Sequence, residues 1–215
     1  MHWRLFEGIS EADVQRLVSV SRRRSFSRNE VVFHRDDPAD SLHLIEKGRF
    51  AIRIVTPLGD TVTIAVRGPG ESFGEMALVA AARRAATVVA LEQAQTLAVY
   101  KDDFQQLRAD HRSVDQLLFA FLVGEVRMLN ERLVEALYLP VERRVLRRLR
   151  ELTEGANQEH PLEVPLTQEE LAELAGTTRA TINRILREEV KRGTIKLERG
   201  RTIVLDPEQI ARRAR

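Results

Sequence analysis

The chain contains no cysteine among its 215 residues, and its five histidines are scattered. Without cysteine, the protein has no disulfide, no cysteine-ligated iron–sulfur cluster and no thiol redox sensor. No two histidines stand four residues apart, so the helical zinc motif is missing as well. A haem would need an axial ligand, for which His34, His43 and His111 are weak candidates. We therefore expect no metal, haem or iron–sulfur cofactor, which argues against a gas or redox sensor.

Long apolar runs are also missing. No stretch approaches the roughly 18 apolar residues of a membrane span, and no signal-peptide pattern opens the chain. These absences predict a cytoplasmic protein with no membrane partner. The sequence also has no Walker loop and no recognisable pairing of a nucleophile with a base. It therefore gives no support to the rival hypothesis of an enzyme acting on nucleotides, and we expect a protein that is not an enzyme.

The charges are unevenly distributed. The net charge is only +2, and the hydrophobic fraction of 43% is sufficient for ordinary cores in one or two domains. From Leu139 onward the sequence contains 16 lysines and arginines and 13 acidic residues, so the basic excess lies in the C-terminal part. A basic surface attracts DNA phosphates through counterion release, although this excess alone is weak evidence.

Two helical patterns meet at Gly176 in this basic part. In the first helix, Thr167 and Glu170 have the spacing of a capping box, and Thr177 or Thr178 is placed to cap the second. Glycine permits the left-handed conformation that ends the first helix. The second helix has a predicted buried stripe, formed by Ile182, Ile185, Leu186 and Val190. The pattern predicts a helix–turn–helix.

The other side of the second helix is polar and basic. It presents Arg179, Ala180, Asn183, Arg184 and Arg187. Such a face is suited to the edges of DNA bases. The alternative is an ordinary helical hairpin whose arginine face is simply solvated.

Two β-branched runs follow the second helix, at Thr194–Glu198 and Thr202–Leu205. Arg199 and Gly200 supply the turn between them, which predicts a β-hairpin. A hairpin directly after a recognition helix indicates a winged helix and favours DNA binding over the plain hairpin. Its basic residues, Lys196, Arg199 and Arg201, are candidate phosphate contacts.

The N-terminal half has a different sequence pattern, made mostly of short predicted strands. A helix is expected over residues 8–24, with Ser10 as its N-cap. Between Glu30 and Tyr100, short apolar runs alternate with turn signals, which predicts a β-sandwich or barrel-like domain. The predicted strands are residues 31–33, 42–45, 50–55, 61–66, 87–90 and 96–99.

A long helix without proline is predicted over Val114–Leu137. Its apolar residues form a heptad-like seam of Val114, Leu118, Phe121, Leu122, Met128, Leu129, Leu133, Ala136 and Leu137. The seam either packs on its own domain or forms a coiled coil with a second copy, and we favour the second copy because palindromic DNA needs a dimer. Pro140 ends the helix and marks a hinge. We expect an effector domain over 1–109, a dimerisation helix over 110–138 and a DNA-binding domain over 139–215.

One loop of the β domain has the chemistry of a nucleotide site. The sequence G-E-S-F-G-E-M-A-L at residues 70–78 is followed by R-R-A-A-T-V at residues 83–88. Backbone N–H groups at a glycine-started helix hold phosphate, a returning arginine adds a charge-assisted pair, and a carboxylate accepts hydroxyl bonds from a sugar. A simple β-roll turn with surface arginines is the alternative.

These residues resemble the phosphate-binding cassette of cyclic nucleotide-binding domains. The order of cassette, long helix, hinge and L-T-Q-E-E-L-A-E-L-A-G-T-T-R-A-T-I-N-R-I-L is similar to the cyclic AMP receptor proteins of the Crp/Fnr family. The tail resembles the actinobacterial branch. The resemblance covers essentially the whole chain and implies an α+β fold: a jelly-roll-like β-roll, a dimerisation helix and a C-terminal winged helix–turn–helix. It also implies a bacterial homodimer that binds a palindromic operator, a cyclic nucleotide effector and RNA polymerase as a partner.

The resemblance assigns roles to residues. Glu75 is expected to bind the ribose 2′-hydroxyl and Arg84 the cyclic phosphate. The other expected effector contacts are Gly74, Met76, Ala77, Ala85, Ile52, Ile64, Ala65 and Asn130. The expected DNA contacts are Thr167, Gln168, Thr178, Arg179, Ala180, Asn183, Arg184, Arg199 and Arg201, of which Thr167, Gln168 and Thr178 contact phosphates.

The chain departs from the family pattern at a few positions. Glu125 aligns with an arginine of the prototype's long helix, and a carboxylate there repels phosphate unless it faces Arg83 or Arg127. Leu129 replaces a hydroxyl residue that contacts the base. Cyclic AMP is the expected effector, with another cyclic nucleotide, weak binding or ligand-independent DNA binding as alternatives. Ala180 replaces a glutamate, so the operator is expected to differ from the prototype's T-G-T-G-A half-site.

Overall fold

The computed structural model describes residues 3, 10–79, 83–110, 114–153 and 162–215. These residues confirm the predicted α+β class, and they form two compact units, one of residues 1–54 and 67–129 and the other of residues 55–66 and 130–215. In chain order the elements are α1 (Glu11–Ser19), β1 (Arg22–Phe26), β2 (Val31–Phe33), β3 (Ser41–Lys47), β4 (Phe50–Val55), β5 (Thr61–Arg67), β6 (Ser72–Phe73), α2 (Met76–Val79), β7 (Thr87–Ala90), β8 (Ala94–Tyr100), α3 (Lys101–Asp110), α4 (Val114–Tyr138), α5 (Val141–Thr153), β9 (Leu162–Val164), α6 (Gln168–Ala175), α7 (Arg179–Lys191), β10 (Ile195–Glu198), β11 (Arg201–Val204) and α8 (Pro207–Arg213).

The β domain contains two four-stranded sheets, with strand orders β1-β8-β3-β6 and β2-β7-β4-β5. Strand β3 shows how both faces of the first sheet are used, because alternate residues of a strand point to opposite faces. Leu42 and Leu44 belong to one core cluster, whereas Ile45 belongs to another. His43 lies on the same side as Ile45 and stacks on Phe73, with ring centroids 5.0 Å apart.

Two core clusters among the described residues of this unit have different partners. The first joins the outer face of sheet β1-β8-β3-β6 to helices α1 and α3, through Leu17 of α1 and Phe104 of α3. The second fills the space between the sheets, and Phe50 at its centre is fully buried. The helices therefore cover one face of the sheet, and the second sheet covers the other.

The predicted first helix is too long. It has Ser10 as its N-cap, as expected, but it ends at Ser19, and residues 22–26 form strand β1. This strand pairs antiparallel with β8 along its whole length and is an edge strand. Its arginines are exposed and Phe26 is buried, so pairing with the edge of β8 and one apolar anchor outweigh the local helical pattern.

The second unit is built around α5, whose buried residues include Val145, Leu146 and Leu149. Helices α6 and α7 and the antiparallel sheet β10-β11-β9 complete a winged helix–turn–helix, as predicted. Two short elements were not predicted: strand β9, which pairs with β11, and helix α8, which contributes buried Ile210.

Pro140 separates the two long helices. Helix α4 ends at Tyr138 and α5 begins at Val141, which confirms the predicted break. None of the helices in the described part of the chain is long and apolar enough to cross a membrane.

Candidate functional site

The cassette loop turns sharply at Gly74. Its φ of 84° is in the left-handed region, which favours glycine, and it lies between strand β6 and the short helix α2. A Cβ atom on Gly74 would lie 2.8 Å from Nη1 of Arg84 and 2.9 Å from the carbonyl oxygen of Ser41. Glycine is therefore required here both by the backbone conformation and by the close approach of the arginine.

Arg84 is buried, with 5% of its surface exposed. Its Nη1 donates to the carbonyl of Ser41 at 2.7 Å, and its Nη2 donates to Oδ1 of Asp40 at 2.8 Å and to Oγ of Ser41 at 2.9 Å. The guanidinium also lies over the ring of Phe33, 3.9 Å from its centroid. Burial lowers the pKa of Arg84, and the Asp40 carboxylate opposes this shift. The Nε atom is buried and has no hydrogen-bond partner among the described residues.

Glu75 follows Gly74 and is partly buried. Burial raises the pKa of Glu75, and the nearby Glu125 carboxylate raises it further. A hydrogen bond from its own backbone and the positive charges of Arg67 and Arg84 act in the opposite direction. The loop thus holds a carboxylate near two cations, and this carboxylate can accept hydrogen bonds from hydroxyl groups.

The partner of Glu125 differs from both sequence-based candidates. Its two carboxylate oxygens each lie 2.9 Å from Nη2 of Arg67, at the end of strand β5. Arg67 also contacts Glu71, with Nη1 3.2 Å from Oε1. Arg83, by contrast, donates to the carbonyl of Asp36. The partner of Glu125 is therefore Arg67, which was not one of the two arginines considered from the sequence. Nothing local in the sequence indicates this pair, because Arg67 and Glu125 lie 58 residues apart.

The other predicted effector contacts occupy varied surroundings. In the first unit, Ala77 is buried, Ile52 packs partly buried against the core, and Met76 and Ala85 are exposed. In the second unit, Ala65 is buried, whereas Ile64 and Asn130 are exposed. Their contacts with a ligand stay predictions.

The helix–turn–helix has the predicted caps. Thr167 accepts a hydrogen bond from the N–H of Glu170, whose side chain returns the capping box, and Thr178 caps α7 by accepting from the N–H of Thr181. Gly176 adopts the left-handed conformation, with φ 61° and ψ 52°. These local bonds hold α6 and α7 at the turn, and α7 contributes a buried stripe to the domain core.

The stripe ends differently from the prediction. Ile182, Ile185 and Leu186 are buried as expected, but Val190 is 42% exposed. Glu189, and not Val190, is the buried residue at the end of the stripe, and it is fully buried. The Glu189 carboxylate accepts from Oγ1 of Thr194 at 2.8 Å and forms ion pairs with Arg192 and Arg213. These partners satisfy the buried charge, which periodicity alone does not anticipate.

The opposite face of α7 is open to solvent at three predicted DNA contacts, Arg179, Ala180 and Arg184. Asn183 is partly buried, and its amide donates to Oε1 of Gln168 at 3.0 Å. This bond ties two predicted DNA contacts to each other across the two helices. The exposed arginines are therefore the side chains best placed to reach base edges.

The wing contains two arginines in different environments. Arg199 is exposed at the turn, next to Gly200 with φ 76°. Arg201 is held by Glu198, with Nη2 2.6 Å from Oε2, and by Glu163, with Nη1 2.9 Å from Oε2. The positive charge of Arg201 is thus compensated within the wing, whereas that of Arg199 projects from its tip.

Helix α4 exposes a row of large apolar side chains. Predicted seam residues Leu122, Leu129, Leu133 and Leu137 are 42%, 60%, 57% and 65% exposed. Met128 departs from the seam because it is partly buried, with its sulfur 3.3 Å from Nη1 of Arg67. The side chains of Val114, Leu118 and Phe121 lie outside the described residues. An exposed apolar row of this length on one helix is typical of a surface that associates.

The described residues contain no group of three or more His, Cys, Asp and Glu side chains arranged to hold a metal ion. The candidate chemistry therefore lies in two places. One is the Gly74, Glu75 and Arg84 loop, and the other is the exposed face of α7.

Comparisons with known proteins identify the two regions. The cyclic nucleotide-binding domain family matches residues 23–111, and the Crp-like helix-turn-helix domain family matches residues 143–213. A cyclic AMP receptor protein of Thermus thermophilus is 30% identical over 197 residues, which cover 91% of this chain and 89% of that protein. A CRP-like cAMP-activated global transcriptional regulator of Mycobacterium tuberculosis is 28% identical over 215 residues, covering 98% and 96%.

A solved structure agrees with these relatives. The crystal structure of the Thermus thermophilus catabolite activator protein is 28% identical, covers 98% of this chain and 97% of that one, and superposes with a TM-score of 0.55. The chain belongs to the Crp/Fnr family of transcriptional regulators, and it joins a cyclic nucleotide-binding domain to a Crp-like DNA-binding domain.

Proposed function

We propose that this regulator is a homodimer that binds a palindromic operator when a cyclic nucleotide, cyclic AMP in the first place, occupies its cassette. The observation that carries the proposal is the loop that joins Gly74, Glu75 and the buried Arg84 in a chain that also exposes Arg179 and Arg184 on a recognition helix. The cassette residues are suited to a phosphate and a ribose, and the arginines of the recognition helix are suited to the edges of guanine bases.

The effector contacts follow from the loop. Arg84 supplies the cation for the cyclic phosphate, and Glu75 accepts from the ribose 2′-hydroxyl. Two features of this chain bear on affinity. Asp40 already pairs with the Arg84 guanidinium, and the Glu125 carboxylate acts on Glu75. A cyclic phosphate must therefore compete with a carboxylate that belongs to the protein itself.

The DNA contacts follow from the exposed face of α7. Arg179 and Arg184 are each suited to a guanine O6/N7 edge, a contact worth about 1–3 kcal/mol of discrimination. Ala180 lacks an acceptor for a cytosine amino group, and its methyl suits a thymine methyl instead. The operator is therefore expected to differ from the prototype half-site at that base pair.

Dimerisation is supported by the exposed apolar row of α4, because a second copy of the same helix gives the row a complementary partner. Two recognition helices then contact successive major grooves about 34 Å apart. The effector binds more tightly to the arrangement that can bind DNA than to the arrangement that cannot. The two arrangements differ at the dimer helices and at the hinge formed by Leu139 and Pro140. RNA polymerase is the proposed partner in transcription, and the cytoplasm the proposed location.

The deciding experiment is a titration of the purified protein with cyclic AMP and cyclic GMP, followed by calorimetry and by binding to an operator selected from random duplex DNA. Tighter operator binding with cyclic AMP supports the proposal. Operator binding that no cyclic nucleotide changes, together with no calorimetric signal, refutes the effector and leaves ligand-independent binding or a different small molecule. Turnover of the nucleotide during the titration would refute the proposal that the protein is not an enzyme.

The variant Arg84→Ala tests effector binding separately from folding. It removes the cation of the cassette and is expected to abolish calorimetric binding of cyclic AMP while the far-ultraviolet circular dichroism spectrum is kept. Arg83→Ala is the matched control, because Arg83 is exposed and stands next in sequence. Equal loss in both variants would contradict the specific role of Arg84.

A further inference from the structure

Arg144 makes an unusual set of hydrogen bonds within the DNA-binding unit. It lies in the first turn of α5, where its N–H bonds to the carbonyl of Pro140. Among the residues that the structure describes, its side chain donates only to backbone carbonyls, and these belong to the ends of two other helices. Nε and Nη2 donate to Ala175 and Gly176, each at 3.1 Å. Nη1 donates to Leu139 at 3.1 Å and more weakly to Ala136 at 3.4 Å.

The two sets of carbonyls belong to different parts of the regulator. Ala136 and Leu139 are at the C-terminal end of α4, directly before the hinge. Ala175 and Gly176 are at the C-terminal end of α6, directly at the turn of the helix–turn–helix. One planar guanidinium therefore links the hinge to the turn that precedes the recognition helix.

The chemistry favours a cation at this place. The last carbonyls of a helix have no partner within the helix, and they carry the negative end of its dipole. Neither α4 nor α6, both wholly within the described residues, has a basic residue in its own last turn. Arg144 supplies the missing positive charge to both ends. Arginine suits this task because its five donors are fixed in one plane, whereas a lysine ammonium is a single point charge.

We infer that Arg144 is a positioning residue, which sets the orientation of the recognition helix relative to the end of the dimerisation helix. Without it, both helix ends lose their common partner. The ion pairs of Glu135 with Arg147 and Arg148 still link α4 to α5, but they do not reach the turn that precedes the recognition helix. The consequence for operator binding rests on the proposed function, because a fixed orientation matters when two recognition helices must meet two half-sites at one spacing. The orientation itself does not depend on that proposal.

The first experiment measures orientation directly in the full chain. The absence of cysteine allows two spin labels to be attached at Glu131→Cys on α4 and Arg187→Cys on α7, both exposed positions. Labelled protein is diluted with unlabelled protein, and the distance distribution is measured by double electron–electron resonance. Arg144→Gln is expected to broaden the distribution, and Arg144→Lys to leave an intermediate width. Arg143→Gln, an equal loss of charge at the neighbouring exposed residue, is expected to keep the original width.

Circular dichroism and thermal unfolding of the same variants show whether the domain is folded. A broadened distribution in a folded Arg144→Gln protein supports the inference. An unchanged width overturns it, and so does broadening that Arg143→Gln produces equally. If Arg144→Gln does not fold, the width in the folded Arg144→Lys variant decides the question, because one point charge cannot replace contacts at both helix ends.

The second experiment connects the orientation to DNA. Duplexes that carry the selected half-sites are made with the spacer shortened or lengthened by one base pair, which rotates one half-site relative to the other by about 35°. The wild-type protein is expected to bind the altered spacers about tenfold more weakly, and Arg144→Gln to lose most of this preference. Non-specific binding at low salt is expected to stay unchanged. A variant that keeps the full spacing preference contradicts the inference, whereas a wild-type protein without a preferred site contradicts the proposed function alone.

Discussion

Oδ1 of Asp40 lies 2.8 Å from Nη2 of Arg84, so a carboxylate of the protein already pairs with the cation that we propose for the cyclic phosphate. The Asp40 side chain is 66% exposed, whereas that of Arg84 is only 4% exposed. The carboxylate therefore reaches the buried guanidinium from the solvent side. Because the pair is open to water at one end, its strength is limited by solvation and by salt.

Removing this internal anion is expected to strengthen effector binding. Asp40→Asn leaves the side chain in place without its charge, so a cyclic phosphate no longer competes with a carboxylate. A pair that is open to water at one end contributes up to about 1 kcal/mol, which predicts up to about a fivefold gain in cyclic AMP affinity by calorimetry. Asp60→Asn in the β4–β5 turn is the control for charge alone. Weaker binding in Asp40→Asn would mean that Asp40 holds Arg84 in its binding position.

The contact between Arg67 and Glu125 is expected to stabilise the first unit. The pair is partly buried and has two 2.9 Å contacts, so a double-mutant cycle with Arg67→Met and Glu125→Leu is predicted to give a coupling energy of about 1 kcal/mol in urea unfolding. The exposed pair of Lys191 and Glu188 serves as the reference cycle, for which a smaller coupling is expected. Additive effects of Arg67→Met and Glu125→Leu would contradict the prediction.

We expect His43 to make the stability of the fold sensitive to acid. Burial, reinforced by the positive charges of Arg84 and Arg24, lowers the pKa of His43 from 6.5 to about 3. Between these values the unfolded chain binds a proton that the folded chain does not, so stability is lost as the pH falls below about 6.5. His43 is predicted to change the free energy of unfolding by up to about 1.4 kcal/mol per pH unit in this range.

The test is urea unfolding between about pH 7 and about pH 5. His43→Gln removes the titration and is expected to give a shallower pH dependence than the wild type, whatever its stability at neutral pH. His34→Gln, at an exposed histidine, is expected to keep the wild-type slope. A slope that stays the same in His43→Gln would assign the acid sensitivity to other groups.

Association through α4 is expected to depend on its apolar row. Leu133→Glu places a charge on a side chain that is 57% exposed in the single chain, and it is predicted to shift the protein from dimer to monomer in light scattering. Gln116→Glu adds the same charge at an exposed polar position of α4 and is expected to leave the dimer intact. A dimeric Leu133→Glu protein would show that the row has another use.

Arg179 and Arg199 are expected to contribute differently to DNA binding. Arg179→Ala removes a proposed base contact and is expected to weaken operator binding about tenfold or more, while binding to unrelated DNA is kept. Arg199→Ala removes a proposed phosphate contact at the wing tip, so it is expected to weaken binding to all sequences and to reduce the salt dependence by about one counterion. Competition binding at several salt concentrations separates the two. Equal effects on operator and unrelated DNA in Arg179→Ala would remove it from base reading.

Local signals in the sequence were sufficient for much of the fold. The capping box of Thr167 and Glu170 and the left-handed Gly176 each depend on neighbouring residues, so the helix–turn–helix was placed correctly. The proline break after α4 is equally local. The cassette was found from its residue order and from its resemblance to a family, and the structure then brought Gly74 and Arg84 into contact.

Features that depend on distant partners were missed. Strand β1 exists because the edge of β8 accepts it, which its three arginines do not reveal. Arg67 and Glu125 are far apart in the sequence and meet only in the folded unit. Glu189 is buried because Arg213 of α8 and Thr194 reach its carboxylate, whereas periodicity favoured Val190 as the buried residue.

The two sides of the recognition helix have different surroundings. Its inner side, with Ile185, Leu186 and Glu189, is fixed by packing and by ion pairs, whereas Ala180 and Arg184 on the outer side contact little of their own domain. If these residues read DNA as proposed, substitutions on the outer side are expected to change which promoters are bound at little cost in stability. After a gene duplication, a chain with the proposed function would acquire a new set of target genes by one or two substitutions, while its proposed response to the effector would be inherited unchanged.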